Sequence, residues 1–251
     1  MKISAKNSLR KDMRVNTFHL RVIIGLLGVL LPWIVSILST PFTNCWPDSI
    51  STTWHTNACT PFMIILGSAG LLLICYKGYE WFDDVILTLS GIAALVICLF
   101  PCKDAYAIQA EIYDPNKNIG TFMIKSSISD KIHVTAAVIF FILLAYNSFF
   151  LFTKSSGEKT KQKNIRNIIY IVCGLGMGAS SVLLLFKNLP CKMWWIEVIA
   201  LTLFGVSFLT KAGWFFPDRP QQETEDAQNV HLHVTVNVEL QHPEQCVTDI
   251  S

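Results

Sequence analysis

Val134-Thr-Ala-Ala-Val-Ile-Phe-Phe-Ile-Leu-Leu-Ala-Tyr-Asn-Ser-Phe-Phe-Leu-Phe152 carries no charge from end to end. Wound as a helix it spans about 28 Å, close to the roughly 30 Å hydrocarbon core of a bilayer. Five further windows read the same way: Val22–Leu38, Phe62–Tyr76, Val85–Phe100, Ile168–Phe186 and Met193–Leu209. Trp46, Trp81, Trp194 and Trp195 flank them, where interfacial aromatics belong. The expected fold is therefore an all-α membrane protein of six transmembrane helices. Its parts are a basic N-terminus (residues 1–21), the bundle (22–212) and a tail (213–251).

Composition agrees. The chain has 251 residues, 52% hydrophobic and 15% charged, with formal net charge +2, against about 25% charged in a soluble domain. That excludes a soluble enzyme built on one core, a disordered chain, and a nucleic-acid binder with a dominant basic face. The first apolar run follows a basic flank, as a signal peptide would. No small-x-small cleavage site comes after it, so it is read as a retained helix kinked at Pro32. With the N-terminus inside, fourteen Lys and Arg fall on inner segments and six on outer ones, which expects both termini in the cytoplasm.

Under that orientation Cys45, Cys59, Cys102 and Cys191 lie outside. They could form two disulfides, Cys45 with Cys59 and Cys102 with Cys191, or serve as small buried side chains. The same side collects polar chemistry. The loop Cys45-Trp-Pro-Asp48-Ser-Ile-Ser51-Thr-Thr-Trp-His55-Thr56 precedes the second window, His133 opens the fourth, and Glu197 lies one turn into the sixth. A carboxylate at membrane depth is costly and needs a partner or a water-filled cavity. His55, His133 and Glu197, helped by Asp48, are the candidate set for holding a metal, zinc foremost, or for moving a proton. The alternative is a hydrogen-bonded clamp on the helix ends, or histidines wetted at the interface. A Ser-His-acid triad of Ser51, His133 and Glu197 is a further arrangement that geometry alone would decide.

Ser51-x-x-x-His55 resembles the opening motif of the alkaline ceramidase and adiponectin-receptor superfamily, membrane hydrolases with a zinc site. The similarity is partial, because the last window holds no histidine and the family has seven spans. More of the chain, residues 20 to 212, resembles a group of bacterial six-helix membrane proteins of the domain-of-unknown-function type. That resemblance rests on Asp48 to Thr56, Tyr76-Lys-Gly-Tyr79, Ile132-His133, Ala145-Tyr146, Trp195-Ile-Glu197, Ala200, Phe204-Gly-Val-Ser207 and Lys211. It implies six spans, a bacterial inner membrane and an outer polar cluster, and no substrate. Where members carry an Arg-Asp pair this chain has Cys59-Thr60.

On the inner side, Gly78 suits a helix C-cap and Asp83-Asp84 a helix N-terminus, while the basic loop Lys154–Arg166 should lie on anionic headgroups. Gly174-x-x-x-Gly178 permits close helix approach. In the tail, Val230-His-Leu-His-Val-Thr-Val-Asn-Val-Glu-Leu240 alternates without a slip, a strand that must pair with a protein partner or with its copy in a homo-oligomer. His231 and His233 share its polar face.

These readings expect a non-enzymatic membrane protein binding a small ligand or partner through the outer cluster and the 230–240 strand. The alternative is a membrane-embedded, metal-dependent lipid or amide hydrolase using His55, His133, Glu197, Ser51 and Asp48.

Overall fold

The structure is a computed structural model that describes residues 2–78, 80–153, 161–184 and 193–215, with side chains from residue 17 onward. Its helices are α1 (Lys2–Thr43), α2 (Cys59–Cys75), α3 (Trp81–Leu99), the short α4 (Ala105–Gln109), α5 (Ser126–Tyr146), α6 (Lys161–Leu183) and α7 (Met193–Ala212). A 3-10 turn, Ser51–His55, leads into α2, and a π turn, Asn147–Leu151, extends α5. The strands described are β1 (Asn118–Ile119) and β2 (Ile124–Lys125), an antiparallel hairpin in the loop between α4 and α5. The expected strand at 230–240 lies outside the described residues.

Five helices are long and apolar enough to cross a membrane: Thr17–Thr43 within α1, α3, α5 with its π turn, α6 and α7. The sixth expected span, α2, is apolar but has 17 residues, about 25 Å of helix. It is cut short at one end by the 3-10 turn and at the other by the extended Tyr76 (ψ 129°). The fourth expected window opened at Val134, yet α5 starts at Ser126. Its first two turns hold Ser, Asp and Lys, which an apolar window cannot see. α1 passes through Pro32 and Pro41 without ending. It stops where Asn44 takes a left-handed backbone (φ 55°), a conformation Asn tolerates better than most residues.

The helices close a ring in which α1 packs on α2, α2 on α3, α3 on α5, α5 on α6, α6 on α7, and α7 back on α1. Apolar side chains fill the middle, with Phe140, Phe204, Phe208, Leu73 and Met177 among the most buried. The outward face is apolar as well. On α1, Ile23, Leu26, Leu30, Trp33 and Ile37 are exposed at helical spacing, back to back with buried Ile24, Leu31 and Val35. A water-soluble bundle would carry polar residues on that face. This one is built for lipid.

Two helix pairs touch through glycine backbones. A Cβ on Gly70 would come 2.9 Å from the Gly91 carbonyl oxygen, and one on Gly91 would collide with that of Gly70, which fixes α2 against α3. Gly25 and Gly205 do the same between α1 and α7. The expected Gly174-x-x-x-Gly178 contact is half realised. Gly174 packs on Phe149 and Ala145, whereas a Cβ on Gly178 would meet nothing within 4 Å among the described residues.

A closed polar layer and an open polar cavity as candidate functional sites

The loop from Asn44 to Ala58 is a run of hydroxyls bonding backward onto its own backbone. Thr52, Thr53 and Thr56 each donate to the carbonyl three residues earlier, at 2.7, 2.6 and 2.7 Å. That local pattern competes successfully with an α-helix and winds the segment as 3-10. In a 3-10 helix residues three apart eclipse, so Ser51 and His55 point about 120° apart. The zinc-hydrolase motif, which needs both on one face, is not reproduced here.

The loop seats itself on the N-terminus of α7. The Asp48 carbonyl accepts the first-turn amide of Trp194 at 2.7 Å. Ser49 Oγ donates to both Glu197 carboxylate oxygens (2.8 and 2.9 Å), and the Ile50 amide donates to Oε2. Trp194 Nε1 donates to Ser36 Oγ on α1 (2.8 Å), beneath the edge-on rings of Trp33, Trp46 and Trp195. Glu197 thus anchors the loop, facing a cavity of about 40 Å³ with Ser51 and apolar side chains around it.

Both histidines turn to the C-terminal end of α3, whose last carbonyls have no partners within the helix. His55 Nε2 lies 2.8 Å from the Cys102 carbonyl and His133 Nδ1 2.7 Å from that of Phe100. Trp54 Nε1 donates to Cys98 O (3.2 Å), and Ser129 Oγ to Pro101 O (2.7 Å). A carbonyl can only accept, so each imidazole carries its proton on the nitrogen facing it. His55 Nδ1 is then 3.8 Å from Asp104 Oδ2. His133 Nε2, in a side chain only 2% exposed, meets no partner.

The five sequence candidates share one end of the bundle but do not form one cluster: Ser51 and Glu197 line the same small cavity, while the others bond elsewhere. Asp48 is exposed, its carboxylate accepting from Gln109 at 3.4 Å. Glu197 faces the loop, and the two histidines face α3. Among the described residues no three His, Cys, Asp or Glu side chains are placed to hold a metal ion. The residues present do not fit zinc. Nor is there a Ser51–His133–Glu197 relay, because the acid bonds Ser49 and the imidazole bonds a backbone oxygen. The expected Cys45–Cys59 bridge is not formed. The Cys59 thiol instead sits 3.8 Å from Met63 Sδ one turn along its own helix. Cys102 is a free buried thiol, pushed up by burial and further by the Glu197 and Asp130 carboxylates. Cys191 lies outside the described residues.

The opposite end holds a polar assembly of another kind. A cavity of about 220 Å³ is bounded by Arg21 of α1, Tyr76 after α2, Asp83 of α3, Asn147 of the π turn and Lys211 of α7. Arg21 Nε donates to Tyr76 Oη (2.7 Å) and its Nη1 to the Lys211 carbonyl (3.1 Å), both neutral acceptors. Lys211 Nζ donates to Phe152 O (3.1 Å) over the rings of Phe152 and Tyr170. Asp83 closes a capping box with Glu80 at the start of α3. Asn147 is 1% exposed, and neither Nδ2 nor Oδ1 has a partner. The π turn, closed by the Phe152 amide on Asn147 O (3.0 Å), presents Asn147, Leu151 and Phe152 together to this space.

The sequence reading did not assemble these residues. In the sequence Arg21 and Lys211 count only among the inner-side cations, and Asp83 only as an acid at a helix N-terminus. The available signal was Asn147, a carboxamide in an uncharged window. Comparison with known protein families, with curated proteins and with solved structures finds no match in any of the three.

Proposed function

We propose that this chain is a six-span integral membrane protein with cytoplasmic termini, of the bacterial inner-membrane group it resembles. On this reading it binds a small polar ligand and performs no covalent chemistry. α2 serves as the sixth span because it occupies a full place in the helix ring and the 3-10 turn and loop complete its thickness. The Lys and Arg excess supports placing the Arg21 end inside.

One observation carries the binding reading. Asn147 is buried with both amide atoms unanswered, on the wall of a cavity that also receives an arginine held, among the described residues, by neutral acceptors. A buried amide without partners costs about 1–3 kcal/mol, and a ligand supplying them recovers that. At the His55 end, by contrast, each of the three predicted ligands already holds a backbone atom or a serine, which is what a clamp on the helix ends requires. The ligand site is accordingly assigned to the end opposite the one the sequence suggested.

Native mass spectrometry of the detergent-purified protein, wild type beside Asn147→Leu, tests this. The expected result is a non-detergent adduct on the wild type that the variant has lost. Bare wild-type protein released from the gentlest detergents, or an adduct equally present on Asn147→Leu, would overturn it.

A further inference from the structure

We propose that the Arg21 cavity is a phosphodiester site, in which Arg21, Lys211 and Asn147 hold the phosphate of a phospholipid-type headgroup. This rests on the ligand-binding reading above and names its chemistry.

The donors come first. A guanidinium offers five N–H groups, and the two bonds to Tyr76 Oη and Lys211 O leave it with more to give. Asn147 Nδ2 brings two more hydrogens, and Lys211 adds an ammonium group on the same wall. Planar guanidinium with nearby amide and ammonium donors is the set that recognises phosphate oxygens, since charge-assisted bonds to a delocalised anion are the strong ones.

The acceptors narrow the anion. Asp83, 1% exposed, stands in the same wall, and a carboxylate there repels a dianion. A phosphate diester carries one negative charge where a monoester carries nearly two. Asn147 Oδ1 also needs donors from the ligand. Hydroxyl or ammonium groups on the far side of a diester, as on glycerol or ethanolamine headgroups, supply them. At about 220 Å³ the cavity has room for that substituent as well as the phosphate, given that one water needs roughly 10–15 Å³ on the same measure.

Position points to the source. Arg21 lies one turn into the Thr17–Thr43 span, Asp83 in the first turn of α3, and Lys211 in the last turn of α7. All three sit at one membrane boundary, the depth at which lipid phosphates lie. Leu87, Leu151 and Phe152 make the apolar part of the lining, suited to the start of a lipid's glycerol and acyl region.

The test is thermal unfolding of the full chain in a neutral maltoside detergent at fixed ionic strength. It is titrated separately with glycerophosphoglycerol, with phosphatidylglycerol in mixed micelles, and with the phosphate-free monogalactosyldiacylglycerol. Phosphatidylglycerol should raise the midpoint and the galactolipid should not. The half-saturating amount should rise at least about tenfold in Arg21→Gln and Asn147→Leu, each of which removes charge-assisted or amide bonds to phosphate. A response to the soluble diester as well identifies a water-accessible phosphate site; a response to the lipid alone shows that acyl chains are required. Arg21→Gln also loses its bond to Tyr76, so Asn147→Leu, which removes no protein hydrogen bond, keeps the test decisive if the first variant is unstable. Equal responses to phosphatidylglycerol and the galactolipid, or unchanged half-saturation in both variants, would overturn the proposal. A phosphorus-free adduct lost in Asn147→Leu would remove the diester and leave the binding reading standing. No adduct and no titration response would remove both.

Discussion

The two ends of the bundle use similar residues to opposite purposes. At the His55 end, two imidazoles, a carboxylate and a tryptophan each reach across to another segment and find a backbone or hydroxyl partner at 2.7–3.2 Å. At the Arg21 end, an arginine, an acid and an amide surround open space, and the amide finds no partner at all. Titratable residues at membrane depth therefore do not by themselves mark a site. What distinguishes a site from a clamp is whether each polar side chain is already engaged: His133 leaves Nε2 without a partner but is held through Nδ1, whereas the Asn147 side chain is held by nothing.

Glu197→Ala should break this contrast most severely. It strands the Ser49 hydroxyl and the Ile50 amide and enlarges the small cavity beside them. A loss of about 3 kcal/mol is expected, since bonds to charged groups contribute roughly 1.5–3 and orphaned partners add to that. Glu197→Gln keeps an acceptor for Ser49 and should lose less. Denaturant unfolding in mixed micelles measures both. An unaffected Glu197→Ala would mean that the loop is not held from α7.

The histidines sharpen the contrast next. His133→Ala removes a buried imidazole and leaves the Phe100 carbonyl without its donor, for an expected loss of about 2 kcal/mol. His55→Ala, at a less buried side chain, should cost about 1 kcal/mol. Elemental analysis belongs beside the melts. Zinc near one equivalent in the wild type, falling in both variants, would restore the metal reading; equal traces in all three with graded stability would confirm a clamp.

Much of the fold was legible because uncharged runs of fifteen or more residues have few structural outcomes. The errors fell where polarity interrupts regular structure. Ser126 to His133 reads as loop on hydropathy but is helix, because its hydroxyls and Asp130 face the α3 end, as the Ser129 bond to Pro101 and the Asp130 bond to the Lys103 amide show. Ser51-x-x-x-His55 reads as one helical face but is a 3-10 turn, because threonines bond three residues back. The grouping of His55, His133 and Glu197 at one end was also legible, from alternation of the spans alone. Their partners were not, since a backbone carbonyl carries no sequence signature. The Arg21 cavity was hidden for a related reason: its walls come from the ends of five helices, and its charged residues each have an ordinary local explanation as flank or cap.

Asn147→Leu has as small an effect as His55→Ala but is the sharpest discriminator, because its sign should be opposite to that of every substitution at the other end. In ligand-free detergent solution it removes an amide that bonds nothing and adds apolar volume beside Leu151 and Leu87. Relief of an unsatisfied buried group favours the variant by about 1 kcal/mol. With phosphatidylglycerol present the wild type gains the ligand's bonds and the variant does not, so the order of stabilities should reverse. Unfolding both proteins with and without the lipid reads this as a crossing of two lines. Parallel lines with the wild type always more stable would place Asn147 in a structural role like that of His133. The two ends would then be the same kind of layer.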